Sequence, residues 1–484
     1  MTGAHSILEE DVTVRSSAML VLLCMLALLA IPAPEVHAAG TILYVMRQPQ
    51  GAFDCSSWSA ACDLDTALSR ATPGDEIWVQ QGTYYPFPNT SPDGTFFLKS
   101  GVAVYGGFNG TETALSGRNW TTNVTVLSGN SGAPARNWHV VTADGTSPST
   151  RLDGFTITGG DSGWLYNNRL GAGIWVRNGG SLTIANCMIF NNSADLGAGV
   201  FQDGVSGSLD IRDSIIQVNK AEFGGGGVWA TGNVRVDNTR FVSNTVDSGN
   251  STDTYGGGLY AQSSAAILNS TFRSNSTNCS LCINSGGGGV WAHVAITVEN
   301  STFDHNSAAR FGGGLDAEQV AVVKNSTFYR NIKGGFRTGS RPASVIHSTF
   351  VENIGDGIYH AGGGLTVRNS LVWGNSTGQI PGTLNITVSD SVVQGGFATG
   401  THIITGDPHL GSFGELWGGS TAVINLYAPS SAIDTASDAY CLPTDQRGFP
   451  RPAPPGGHCD IGAFERQPND WSPFWATFLP LVAR

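Results

Sequence analysis

The feature that most limits what this chain can fold into is a seven-residue motif that returns along its middle. It reads Asn or Asp, a small residue, any residue, an apolar residue, two free positions, then Asn. It occurs as Asn186–Asn192, Asp213–Asn219, Asn238–Asn244, Asn269–Asn275 and Asn300–Asn306. It continues as Asn325–Asn331, His347–Asn353 and Asn369–Asn375, and decays at Asp390–Gly396. Successive closing positions lie 21 to 31 residues apart. Between them sits a glycine cluster followed by an aliphatic residue, as in Gly225-Gly226-Gly227-Val228 and Gly312-Gly313-Gly314-Leu315. A unit this short cannot bury a hydrophobic face alone, so the units must stack on one another.

Each unit holds two or three short alternating runs, such as Ala295-Ile296-Thr297-Val298. They are too short for helices and rich in β-branched residues. Glycine clusters between them permit sharp corners and close approach of neighbouring coils. Stacking at the strand spacing of about 4.8 Å puts like residues on like. Phe241, Phe272, Phe303, Phe328 and Phe350 are then expected to form an interior column, and the closing asparagines an amide ladder. Ser214, Ser270, Ser301, Ser326, Ser348 and Ser370 form a small-residue column that Cys187 shares, which predicts a buried, inert thiol.

A net charge of −12 leaves no basic stripe to neutralise phosphates, which argues against nucleic acid. Residues Ala18 to Ile31 are an unbroken apolar run followed by Val36-His37-Ala38. That run is too short to span a bilayer and ends in a small-residue cleavage pattern. It predicts a secretory signal over residues 1–38 and an extracellular or cell-surface protein; the alternative is a retained N-terminal anchor. Glu9, Glu10 and Asp11 ahead of the run are atypical of such signals. In an exported chain the near pairs Cys55/Cys62, Cys279/Cys282 and Cys441/Cys459 read as disulfides. The competing reading, a zinc site, needs four ligands, and Cys279-x-x-Cys282 has no second pair within reach in sequence.

The repeat resembles the right-handed parallel β-helix of the pectin-lyase-like superfamily over roughly residues 150 to 400. The glycine cluster with Phe-x-x-Asn is also similar to the repeats of polymorphic outer membrane proteins. The fold implied is all-β, a right-handed parallel β-helix with an N-terminal amphipathic helix cap and a C-terminal irregular capping module. Handedness follows from the resemblance and from the chirality of parallel crossovers. The expected organisation is a cap and first coils over residues 39–150, repeats over 151–400, a C-terminal module over 401–466 and a hydrophobic tail over 467–484.

At the entry, Cys62 to Ala71 reads as a short amphipathic helix stopped by Pro73-Gly74-Asp75, followed by Glu76-Ile77-Trp78-Val79 and Gly82-Thr83-Tyr84. At the exit stand Asp407-Pro408, Ser431-Ala432-Ile433-Asp434, Asp445-Gln446-Arg447-Gly448 and Cys459-Asp460-Ile461-Gly462-Ala463-Phe464-Glu465. That series resembles the C-terminal module of choice-of-anchor Q proteins, exported β-helix proteins whose anchoring signal varies. Asp445, Arg447, Asp460 and Glu465 suggest a catalytic or calcium cluster, but loops without ladders need charge-assisted hydrogen bonds to hold their shape, and the structural reading is preferred. Residues 473–484, with Phe474, Trp475, Phe478 and Leu479, are either a sorting or surface-attachment tail or an ordinary end.

Strand side chains alternate, so the residue after each interior aliphatic should face out. That column reads Trp175, Phe201, Trp229, Tyr260, Trp291, Asp316, Arg337 and Tyr359. Its aromatic members are candidate carbohydrate-binding residues, forming a flat platform for sugar rings unless loops at 160–170 and 246–255 cover them. Asp316, Glu318 and Arg337 are the candidate catalytic residues, with His305, Arg330, Glu352 and His360 expected nearby. A lyase would use Arg337 or another base with an acid-bound calcium, and a hydrolase would use Asp316 and Glu318 as its two carboxylates. The chain lacks the Gly-His-Gly, Asn-Thr-Asp and Asp-Asp segments of polygalacturonases and the tryptophan-aspartate-histidine segment of pectate lyases. Fold alone does not transfer activity. The preferred expectation is a monomeric, exported protein that binds a polysaccharide or cell-surface glycan. A polysaccharide lyase or hydrolase, and a structural stalk or adhesin, are the alternatives.

Overall fold

The computed structural model describes residues 40–470 apart from 50, 88–90, 133–135, 163–168, 250–252, 383, 416–417 and 469. The expected signal segment and the tail beyond residue 470 lie outside the described residues. Among the described residues, the strands of three parallel sheets, of 25, 10 and 4 strands, pair with their equivalents one coil away. In one coil, Leu315–Ala317 belongs to the ten-stranded sheet, and Val320–Lys324 and Thr327–Tyr329 to the longest. The expected all-β parallel solenoid is therefore the fold.

The corner between the two strands of the longest sheet explains the first position of the motif. Asn238, Asn269, Asn300, Asn325 and Asn369 all have φ between 43° and 52°, the left-handed region that Asn and Asp tolerate best. The Ser column follows it directly: Ser301 Oγ accepts the Ser270 N–H and donates to the Glu299 carbonyl. Cys187 replaces Ser there, its N–H donating to Ser214 Oγ and its thiol lying 3.1 Å from the Ala185 carbonyl oxygen. Burial pushes that thiol up to about 12, so it is a packed group with little thiolate.

Inside the coil the phenylalanine column is as expected. Phe241, Phe272, Phe303, Phe328 and Phe350 are fully buried and stacked, with successive centroids 4.5, 5.1, 4.6 and 4.6 Å apart. The closing asparagines form a continuous ladder from Asn192 to Asn375. Asn306 Nδ2, for example, donates to Asn331 Oδ1 at 3.0 Å and to the Phe272 carbonyl, while its Oδ1 accepts both the backbone and side-chain N–H of Asn275. Every buried amide group in the ladder thus has a partner, which avoids a penalty of roughly 1–3 kcal/mol per orphaned group.

At the entry, Leu64–Arg70 is helical and buries Leu64, Ala67 and Leu68 against the first coil; Asp63 caps it by accepting the Thr66 N–H. The C-terminal module runs back along the flank of the coils, beyond what an end cap requires. Gln446 Nε2 donates to Thr302 Oγ1, Thr421 Oγ1 and the Ala422 carbonyl, and Thr327 Oγ1 donates to Gln446 Oε1. The reason is hydrophobic: outward positions on these coils become Val351, Leu371 and Val392, which pack with Val423, Leu426, Ile461 and Phe464.

Candidate functional site

Parallel register places the outward column in one line. Trp175 pairs with Phe201, Phe201 with Trp229, Trp229 with Tyr260, Tyr260 with Trp291, Trp291 with Asp316, Asp316 with Arg337 and Arg337 with Tyr359. The platform expected from sequence does not form. Rings one strand spacing apart must stack on each other: Trp229 and Tyr260 lie 3.5 Å apart at 6°, Tyr260 and Trp291 4.5 Å apart at 14°. Their faces are spent on one another, and what remains for a ligand is ring edge.

The adjacent turn covers part of the wall. Gly224, Tyr255, Gly286 and Phe311 are bridged in sequence along it. A Cβ at Gly224 would fall 2.4 Å from the Trp229 ring, so glycine is required for that indole to lie flat. The Tyr255 ring packs 5.1 Å from Trp291. Phe201 and Trp291 are consequently only 5% exposed and serve as packing, a correction to their expected ligand role. Trp175, Trp229 and Tyr260 are half-buried, and Tyr359 is exposed. Burial, then the nearby Glu318 charge, push the Tyr260 phenol up to about 12.

Beyond Trp291 the column turns polar. Arg337 Nη1 donates to Asp316 Oδ1 at 2.6 Å, and Asp316 is buried. Burial outweighs the guanidinium and raises the Asp316 carboxyl to about 6. A guanidinium that already donates to a carboxylate has no lone pair with which to abstract a proton, so Arg337 does not fit the role of base. Glu318 Oε2 lies 2.7 Å from His293 Nδ1, and both side chains are partly open to solvent. His293 was missed in the sequence; its signal was its place two residues after Trp291, as Glu318 stands two after Asp316. The expected neighbours lie elsewhere. His305 pairs with Asp304, and Arg330 with Glu352, at the corner ahead of the Asn ladder; His360 points inward and bonds Thr338 Oγ1. Asp316 and Glu318 are each engaged by a neighbouring side chain, and among the described residues no group of three or more His, Cys, Asp or Glu is placed to bind a metal ion.

Next to Arg337 opens a cleft of about 230 Å³ lined by Arg310, Phe311, Lys333, Arg337, Asp356 and Tyr359. The Arg337 guanidinium lies 5.2 Å over the Phe311 ring, and Phe311 and Tyr359 are 6.4 Å apart at 20°. A larger cleft, about 360 Å³, lies on the four-stranded sheet between Asp195, Lys220, Glu222 and Asp247. It lacks aromatic surface, and two of its acids are paired, Asp195 with Arg169 and Asp247 with Lys220.

The C-terminal acidic residues are internally consumed. Asp445 accepts the N–H groups of Arg447, Phe449 and Glu465 as well as Arg447 Nε. Glu465 accepts Arg451 Nη1 and the N–H groups of Ala453 and Asp460, while Asp460 accepts those of Asp434 and Arg466. Burial and the Glu465 charge raise Asp460 to about 7. This is a folding knot rather than an open site. Cys55–Cys62, Cys279–Cys282 and Cys441–Cys459 are disulfide-bonded, which replaces the zinc alternative for Cys279 and Cys282.

A coiled parallel solenoid with an in-register outward wall defines a class of architecture, and the sequence agrees with it. The chain belongs to the right handed beta helix region family, whose model matches residues 100–276 and 250–409. No curated protein matches it. Among solved structures it is similar to the crystal structure of pectate lyase Pel9A, at 16% identity and a TM-score of 0.48, over 89% of this chain and 97% of that one. A rhamnogalacturonan lyase matches at 11% identity and a TM-score of 0.24, over 76% of this chain and 85% of that one. The Yersinia enterocolitica family 28 exopolygalacturonase matches at 10% identity and a TM-score of 0.22, over 76% of each chain.

Proposed function

We propose that this chain is an exported, surface-associated protein of the choice-of-anchor Q type that binds an extended glycan along its ten-stranded sheet. One observation carries the reading. Half-buried Trp229 and Tyr260 stand in register with Arg337 and exposed Tyr359, so an aromatic wall leads along the coil axis into a cleft lined by cations. A linear saccharide on that axis would meet ring edges and, two residues along each strand, the polar side chains of Thr231, Gln262, His293 and Glu318. The test is titration of the whole protein with a panel of neutral and acidic oligosaccharides. Trp229→Ala and Tyr260→Ala should each weaken binding about tenfold, or roughly 1.4 kcal/mol. Absence of binding to every member of the panel leaves the stalk or adhesin reading.

The second reading, a polysaccharide lyase or hydrolase, is favoured by the His293–Glu318 pair beside Asp316, whose carboxyl is poised near 6. There Arg337 supplies charge and Glu318 or Asp316 handles the proton. Formation of unsaturated products or new reducing ends, abolished by Glu318→Gln, would establish it. Retained binding without products from any polysaccharide would remove it.

A further inference from the structure

We propose that the cleft beyond the wall is an anion-binding subsite, in which Lys333 and Arg310 receive a sugar unit bearing a carboxylate or sulfate without the help of a metal ion. The inference rests on the glycan-binding reading above and names the chemistry of its end unit.

Charge pairing is the first support. Most cations on the coils are matched by an acid, as Arg177 is by Asp144, Arg273 by Asp304, Lys324 by Glu299 and Arg330 by Glu352. Lys333 and Arg310 are exposed and line one cleft, and neither has a carboxylate partner among the described residues. Arg310 Nε is held by the Cys282 carbonyl at 2.8 Å, within the disulfide-closed turn, which fixes the side chain while leaving its terminal nitrogens unengaged.

Backbone conformation is the second. Lys333 has φ of 75°, a region that disfavours a long side chain. Ile332 bridges Ile354 on the next coil, so the position equivalent to Lys333 is Gly355, with φ of 130°. The chain thus keeps a lysine where the neighbouring coil uses the residue that suits such backbone, and that lysine stands at the rim of the cleft.

Unmet hydrogen-bonding capacity is the third. Arg337 Nε and Asp356 Oδ1 are buried without a partner, and both residues line the cleft. An anionic sugar ring would engage the accessible groups of these residues. Its charged group pairs with Lys333 and Arg310, a hydroxyl donates to Asp356, and its C–H face lies against the rims of Phe311 and Tyr359. Asp356 and Asp316 are the acids at the site. Asp316 is paired with Arg337, which leaves Asp356 as the one acid lining the cleft beside its two unpaired cations.

The test titrates the full chain, in buffer containing a calcium chelator, with a uronic-acid trisaccharide, a sulfated trisaccharide and a neutral trisaccharide. The anionic probes should bind at least tenfold more tightly than the neutral one, and their advantage should shrink with salt. Lys333→Gly and Arg310→Gln should each remove most of that preference, and Lys333→Arg should keep it. Lys333→Gly should leave the thermal midpoint unchanged or higher, because glycine suits the backbone there. Whichever anionic probe binds more tightly identifies the charged group. Equal affinity for all three probes, or a preference that survives both charge-removing variants, overturns the subsite while leaving the wall reading intact. An anion preference that appears only when calcium is restored overturns the metal-free mechanism. Failure of every probe to bind overturns both.

Discussion

Asp316 and Arg337 face each other across adjacent coils, with Arg337 Nη1 donating to Asp316 Oδ1 at 2.6 Å inside a site that shields the carboxyl from water. Burial raises this acid from 3.8 to about 6, so the folded chain holds its proton more readily than the unfolded chain. The contribution to stability is therefore fully present below about pH 4 and is lost as pH rises through about 6. Asp316→Asn cannot ionise and should lack this decline. Denaturation midpoints across that window should show the wild-type chain losing on the order of 3 kcal/mol relative to the variant. Parallel pH curves for the two proteins would contradict the assignment.

The Asn ladder makes a sharper demand. Asn306→Ala strips partners from Asn275, from the Phe272 carbonyl and from Asn331 at once, and should cost about 3 kcal/mol or more in urea denaturation. Asn300→Gly, at the opening position of the same motif and the left-handed corner with φ of 52°, should cost far less, because glycine accepts that backbone. Similar losses at the two positions would mean the ladder is not a principal fastening.

Two tryptophans that look equivalent in sequence should behave differently. Trp291 is 5% exposed and packed against Tyr255 and Tyr260, so Trp291→Ala should destabilise by about 3–5 kcal/mol. Half-buried Trp229 should instead report chiefly on ligand affinity. Thermal melts beside titrations of both variants separate the two roles.

What the sequence revealed follows from the physics of repetition. Phe303, Ser301 and Asn306 were legible because each stacks on its own kind one coil away, so one correct unit implies all the others. The outward column was legible in register for the same reason. Its chemistry was legible only in part: cover from the 246–255 loop was an open alternative, and Tyr255 supplies some of it, but alternation says that Trp229 points out of the sheet and not that its ring lies flat on Tyr260. Lys333 was illegible because the signal is a backbone angle. The path of the C-terminal module was illegible because Gln446 reaches residues more than a hundred positions away through contacts with no period.

That module supplies a further prediction. Gln446 is buried with four side-chain hydrogen bonds, two to Thr302 and Thr327 on the flank and two to Thr421 and Ala422 of its own module, and no charge helps hold it. Gln446→Ala should cost about 2 kcal/mol or more and should free the module before the coils melt. Limited proteolysis should then cut within 401–466 while the repeat region stays intact. Simultaneous loss of both would show that they unfold as one unit.

The amides of the ladder all point the same way. Asn192 accepts from the Gly160 N–H at one extremity and, coil after coil, each Nδ2 hands its hydrogen forward until Asn375 donates to Gln379 Oε1. Their orientation is dictated by main-chain carbonyls such as those of Phe303 and Phe328, so none can flip alone. Small dipoles aligned head to tail reinforce one another, as peptide units do in a helix. The stack thereby acquires an electrical polarity, and its positive pole emerges at Gln379, two residues from Thr377 on the wall of the cation-lined cleft.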